Sequence, residues 1–127
     1  MAEYTVGQLM EMRAVLDRHC QTEVEPAFAA QLRRVRRIVR EHVREFQEEI
    51  DGLVQKYGEK VAGQGYMIRV NSPNFAEFEQ QATEIRNVSL DFELKQELRL
   101  SQFPRISGND VEVLDPLLID DIQESGD

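Results

Sequence analysis

Nine apolar residues, Phe28, Leu32, Val35, Val39, Val43, Phe46, Ile50, Leu53 and Tyr57, follow one another at steps of 4, 3, 4, 4, 3, 4, 3 and 4. Such spacing keeps every one of them on a single face of an α-helix. The run lasts nearly five heptads, with one extra residue near its middle in the manner of a stutter. Pro26 suits the first turn of this helix, Thr22 and Glu25 are spaced for a capping box before it, and Gly58 is placed as a left-handed C-terminal cap. The pattern therefore predicts one long helix over about 22–57, and at ~1.5 Å per residue it is about 50 Å long. A single domain of 127 residues is narrower than that. Part of the seam formed by Leu32, Val35, Val39, Val43, Phe46, Ile50, Leu53 and Tyr57 must accordingly pack either on the C-terminal half of the chain or on a second copy, as core or as a self-association face.

The rest of the chain supplies shorter elements. "TVGQ" at 5–8 fits a capping box, and Leu9, Met12 and Leu16, widened by Met10 and Val15, predict a helix over 6–19. The two helices form a hairpin over 1–58. "GYMIRVNSP" changes the period to two, with Tyr66, Ile68 and Val70 on one face of a short strand. Ser72 and Pro73 are spaced to open a helix that carries Phe75, Phe78, Ala82 and Ile85 and ends near Asn87. In "VSLDFELKQELRL" the apolar residues Val88, Leu90, Phe92, Leu94, Leu98 and Leu100 alternate with polar ones, which reads as a half-buried strand with a bulge or bend at 95–97, closed by Pro104. The segment 107–122 reads as one or two short helical turns broken by Pro116, docking Val111, Leu114, Leu117 and Leu118, and 121–127 is expected to fray. The expected class is α+β in a single domain: the helical hairpin, then a small antiparallel sheet with one or two short helices over 65–120.

Charge is distributed as unevenly as hydrophobicity. The net charge of -9 belongs to the C-terminal half: residues 1–60 hold 10 Lys/Arg and 11 Asp/Glu, residues 61–127 hold 5 and 13. Against that background "RRVRRIVR" at 33–40 stands out. Arg33, Arg37, Arg40 and Arg44 form one helical stripe with Arg36 beside it, a candidate partner-binding surface. The acidic remainder of the chain disfavours a long polyanion, and no aromatic residue interleaves the arginines to stack on bases, so nucleic acid is an unexpected partner. The acid-rich segment 105–127, with seven acids and one Arg, is the expected neutralising surface, unless a second copy or another protein takes that place.

Residues able to carry catalysis are few. The chain has one cysteine, Cys20, beside His19, and sequence neighbours on a helix point about 100° apart. His42 between Glu41 and Glu45 reads as a solvated face rather than a metal site. No glycine-rich phosphate loop is present, because "GEKVAGQG" follows a helix and lacks the closing Lys-Ser/Thr. The expectation is a protein that is not an enzyme and uses no cofactor or metal. No apolar run approaches the roughly 20 residues that span a bilayer, and "MAEYTVGQLM" lacks the basic start and apolar centre of a secretion signal.

The order of elements, with "QKYGEK" ending the long helix, "MIRVN", the alternating "VSLDFELKQELRLSQFP" and the closing "ISGNDVEVLDPLLID", resembles a family of short uncharacterised proteins encoded by tailed bacteriophages and prophages. The likeness runs over roughly 22–120 and centres on a KYGE-type motif at 56–59; the basic stretch departs from it in using Arg where the family is Lys-rich. The resemblance implies a phage protein in the bacterial cytoplasm or associated with the virion, without an assigned activity. Its implied role is in virion assembly, as a tail-associated component or in host takeover; the long seam adds the expectation of an assembly component that self-associates and contacts another phage or host protein. An acidic effector that inhibits a host protein is the alternative, and a small nucleic-acid-binding regulator the third reading.

Overall fold

The computed structural model describes residues 3–91 and 93–122. The fold is α+β, built on a helical hairpin. Strand β1 (Glu3–Thr5) leads directly into α1 (Val6–His19), and the capping box forms as spaced: the Gln8 amide donates to Thr5 Oγ1 at 3.1 Å, and the Thr5 amide donates to Gln8 Oε1 at 2.9 Å. After a turn, α2 (Pro26–Tyr57) runs for 32 residues. It starts at Pro26 rather than near 22. Glu25 is the N-cap without a side-chain bond, and the Thr22 amide donates to the His19 carbonyl instead, so Thr22 closes α1 rather than opening α2.

The long helix finds cover within its own chain. α1 packs along α2, and so do α3 (Phe75–Arg86), β3 (Gly65–Met67) and β5 (Leu98–Arg99). Leu32, Val35, Val39, Val43 and Ile50 are buried, while Phe46, Leu53 and Tyr57 are half-buried. The main core joins Leu9, Met12, Val15 and Leu16 of α1 to Phe28, Leu32, Val35, Val39 and Val43 of α2, closed by Leu98, Phe103, Leu114, Leu117 and Leu118. The seam is thus core along most of its length. Toward the far end Tyr57 accepts a hydrogen bond from Gln81 of α3 at 2.7 Å, beside buried Phe78 and Ala82.

Gly58 does end α2, but with φ -92° and ψ -178°, an extended conformation open to any residue. Its glycine requirement is spatial: a Cβ there would lie 2.5 Å from the carbonyl oxygens of Met67 and Val54. The tight approach lets β2 (Glu59–Val61) and β3 pair antiparallel straight after the helix, through a turn with Gly63 and Gly65 at φ 80° and 76°. This hairpin buries no apolar face, since Tyr66 and Val70 are exposed and Ile68 is half-buried. Ser72 does not cap α3 directly; Asn74 is the N-cap, and Ser72 receives the Asn74 and Phe75 amides through its hydroxyl and carbonyl.

Among the described residues the strands pair in three separate two-stranded ladders instead of one sheet. The alternating segment 88–100 divides between two of them: β4 (Ser89–Asp91) lies antiparallel to β1, and β5 lies parallel to β6 (Leu118–Ile119). Residues 93–97 cross from one ladder to the other, with Leu94 half-buried and the Glu97 amide bonded to the Leu117 carbonyl at 3.0 Å. A strand needs a neighbour along its whole length, and here each end has a different one. Phe92 lies outside the described residues. Next come a 3-10 turn at Leu100–Gln102, α4 (Gly108–Leu114), and a second 3-10 turn at Asp115–Leu117 that contains Pro116. Leu114, Leu117 and Leu118 dock on the core as expected, with Val111 half-buried against it. Of the segment expected to fray, 123–127 lie outside the described residues.

Candidate functional site

The arginines of α2 fall on the face turned away from the core, because their positions lie between the seam positions of a 3.6-residue repeat. Arg33, Arg34, Arg36, Arg37 and Arg40 surround an open hollow of about 400 Å³ whose remaining lining residue is Ala30. They differ in how their charge is answered. Arg34 bonds Glu97 at 2.7 Å, Arg36 lies 3.6 Å from Asp17 of α1, and Arg44 lies 3.5 Å from Glu41 one turn back. The Arg36 Nε is buried without a hydrogen-bond partner among the described residues. Arg33, Arg37 and Arg40 make no ion pair among the described residues and crowd like charge around one space.

The acidic C-terminal segment does not cover this face in the described residues. Two of its carboxylates are engaged elsewhere: Asp121 accepts from the Ser101 amide and hydroxyl, bonds that hold its carboxyl below the usual range, and Asp110 is buried against α1. The acids that do meet the arginines, Asp17, Glu41 and Glu97, come from α1, from α2 itself and from the 93–97 crossing. Sequence distance hid the first and the last of these.

The second polar centre escaped sequence reading entirely. His19 and Asp110, 91 residues apart, are both buried, and the His19 Nε2 donates to Asp110 Oδ2 at 3.0 Å. Arg18 donates to Asp110 Oδ1 at 2.9 Å, and the Asp110 amide donates to the Ser107 hydroxyl that caps α4. Phe103 stands edge-on to both His19 and Phe28, at 5.1 and 4.9 Å between centroids. Burial alone would raise the Asp110 carboxyl, but hydrogen bonds from His19 and Arg18 outweigh it and hold the group below its ordinary value. The carboxylate sits in the first turn of α4 and Arg18 in the last turn of α1, so each helix dipole favours the charge its own helix carries at that end. The arrangement joins two helices. Cys20 beside it is half-buried, and burial pushes its thiol up despite the opposing influence of Arg36 and Arg33. Such a thiol is a poor nucleophile at neutral pH.

His42 lies on the exposed side of α2, with its Nδ1 2.8 Å from the Ile38 carbonyl. Among the described residues no group of three or more His, Cys, Asp or Glu side chains is arranged to hold a metal ion, and no helix is long and apolar enough to cross a membrane. In comparisons with known proteins no family model matches the chain, and no curated protein or solved structure matches it.

Proposed function

We propose that the chain is a non-enzymatic, phage-encoded binding protein, a small virion- or tail-associated assembly component that docks an acidic protein surface through Arg33, Arg37 and Arg40 of α2. One observation carries this reading: these three guanidiniums line an open hollow without carboxylate partners among the described residues, while Arg34 and Arg36 beside them are answered from within the chain. A protein partner is favoured over nucleic acid because the whole chain carries -9, and a long polyanion would meet that field on every side of the stripe. The raised Cys20 thiol and the engagement of buried His19 by Asp110 suit a protein without a nucleophilic centre.

The test is fluorescence anisotropy of a labelled oligo-glutamate peptide against the full chain. Wild type is expected to bind, the Arg33→Ala/Arg37→Ala/Arg40→Ala variant to bind about tenfold more weakly or worse, and Arg44→Ala to change little. Equal binding by the triple variant overturns the proposal, as does tighter binding of a DNA duplex of matched charge. For the assembly role, the coding gene is expected among tail or structural genes, and a place among early genes contradicts it.

A further inference from the structure

The exposed face of α2 has a second half. Beyond the arginines the same side of the helix carries Glu41, Glu45, Glu48 and Asp51, all exposed and all turned away from the seam. Residues 33–40 hold five Arg and no acid; 41–51 hold five acids and one Arg. One continuous surface, nineteen residues and about 28 Å long, therefore runs from basic to acidic. A face of that kind is complementary to itself when it is turned end for end.

We infer that the acidic surface docked by the arginines is the Glu41 to Asp51 half of α2 in a second copy of this chain, the two helices crossing antiparallel about a two-fold axis that passes beside the exposed face, midway along the helix between Arg40 and Glu45. This rests on the arginine-docking reading and names its partner. With the axis there, Arg37 of one copy comes level with Glu48 of the second copy, Arg40 level with Glu45, and Arg44 level with Glu41, within reach of these long side chains, and symmetry repeats each pair. Arg33 falls opposite Gly52, where even an added Cβ would meet nothing within 4 Å, which leaves room for its long stem. The intrahelical contact of Arg44 with Glu41, at 3.5 Å and largely exposed, exchanges for its counterpart across the axis at little loss. A parallel alignment would set arginine against arginine.

The buried seam cannot serve this purpose, since most of it is covered by α1, β5 and the C-terminal turns. Each copy carries -9, so contact must draw on short-range pairing and not on overall attraction. At about 0.1 M salt the Debye length is about 10 Å, enough to screen the mutual repulsion of the bodies while pairs in contact still act; at about 1 M it is about 3 Å and the pairs fade as well.

Sedimentation equilibrium of the full chain at both salt concentrations tests the pairing. Dimer is expected at the lower concentration, with a dissociation constant at least about tenfold higher at the upper. Arg37→Glu/Arg40→Glu and Glu45→Arg/Glu48→Arg are each expected to sediment as monomer, and an equimolar mixture of the two to recover a heterodimer. These side chains are exposed or nearly so, and an unchanged circular dichroism spectrum verifies that each variant folds. A monomeric wild type at about 0.1 M salt overturns the inference, as does a dimer indifferent to both reversals or a mixture that stays monomeric. If wild type is monomeric yet still binds oligo-glutamate through the arginines, the docking reading stands and only the second copy is eliminated.

Discussion

Removing the Asp110 carboxylate separates a structural clamp from a merely adjacent pair of charges. Asp110→Ala leaves the His19 Nε2 buried without its acceptor, which costs about 1–3 kcal/mol. The Arg18 side chain, 65% exposed, returns to water, so its lost bond adds at most about 1 kcal/mol. Loss of an acid from the first turn of α4 adds about 0.3–1 kcal/mol. The expected destabilisation is about 2–4 kcal/mol at neutral pH, read as a lowered urea midpoint at unchanged slope. Asp110→Asn keeps the shape and removes the charge, and it isolates the pH dependence. Because the folded carboxyl titrates below the unfolded one, its contribution is complete above the ordinary aspartate range and is lost as pH falls through the depressed folded value. The stability gap between wild type and Asp110→Asn should hold constant above about pH 5 and close below about pH 4. A variant within about 0.5 kcal/mol of wild type, or a gap that widens in acid, refutes the clamp.

Two further outcomes follow from packing. Gly58→Ala drives a methyl group against the Met67 and Val54 carbonyls and should lower stability by about 1–3 kcal/mol in a thermal melt, although its backbone angles suit alanine. Leu32→Ala, in a residue 1% exposed, should cost about 2–5 kcal/mol, whereas half-buried Leu53→Ala should cost distinctly less; equal losses would mean that the far end of the seam is as closed as the near end.

What the sequence disclosed was local. The seam of α2 and the Thr5 to Gln8 capping box depend on residues three or four apart, and both were legible. The candidate arginine face was legible for the same reason, since its members share one helix. Its neutralisation was not: Glu97 reaches Arg34 from 63 residues away, and from the acidic segment that composition nominated Asp121 turns to Ser101 and Asp110 to α1 instead. The His19 to Asp110 pair left no signal because each residue, read in its own helix, looks like an ordinary terminal charge. Strand β1 is three residues long and has meaning only beside β4, and the alternation of 88–100 concealed a change of partner midway. Gly58 was located correctly and for the wrong reason, as its need arises from β3, which folds back to it nine residues later.

The division of 88–100 between two ladders bears on how the molecule folds. One end of that segment is tied to β1 and the other to β6, so a single crossing links these two strands, 113 residues apart at their nearest, beside the helical hairpin. The contacts between α1 and α2 are close in sequence and can form early, but α1 lacks its full cover until α3 and α4 arrive from some 70 to 100 residues downstream. The hairpin alone is therefore half a core. The late closure makes its persistence conditional on the whole chain, and binds the molecule into one cooperative unit despite the length of its central helix.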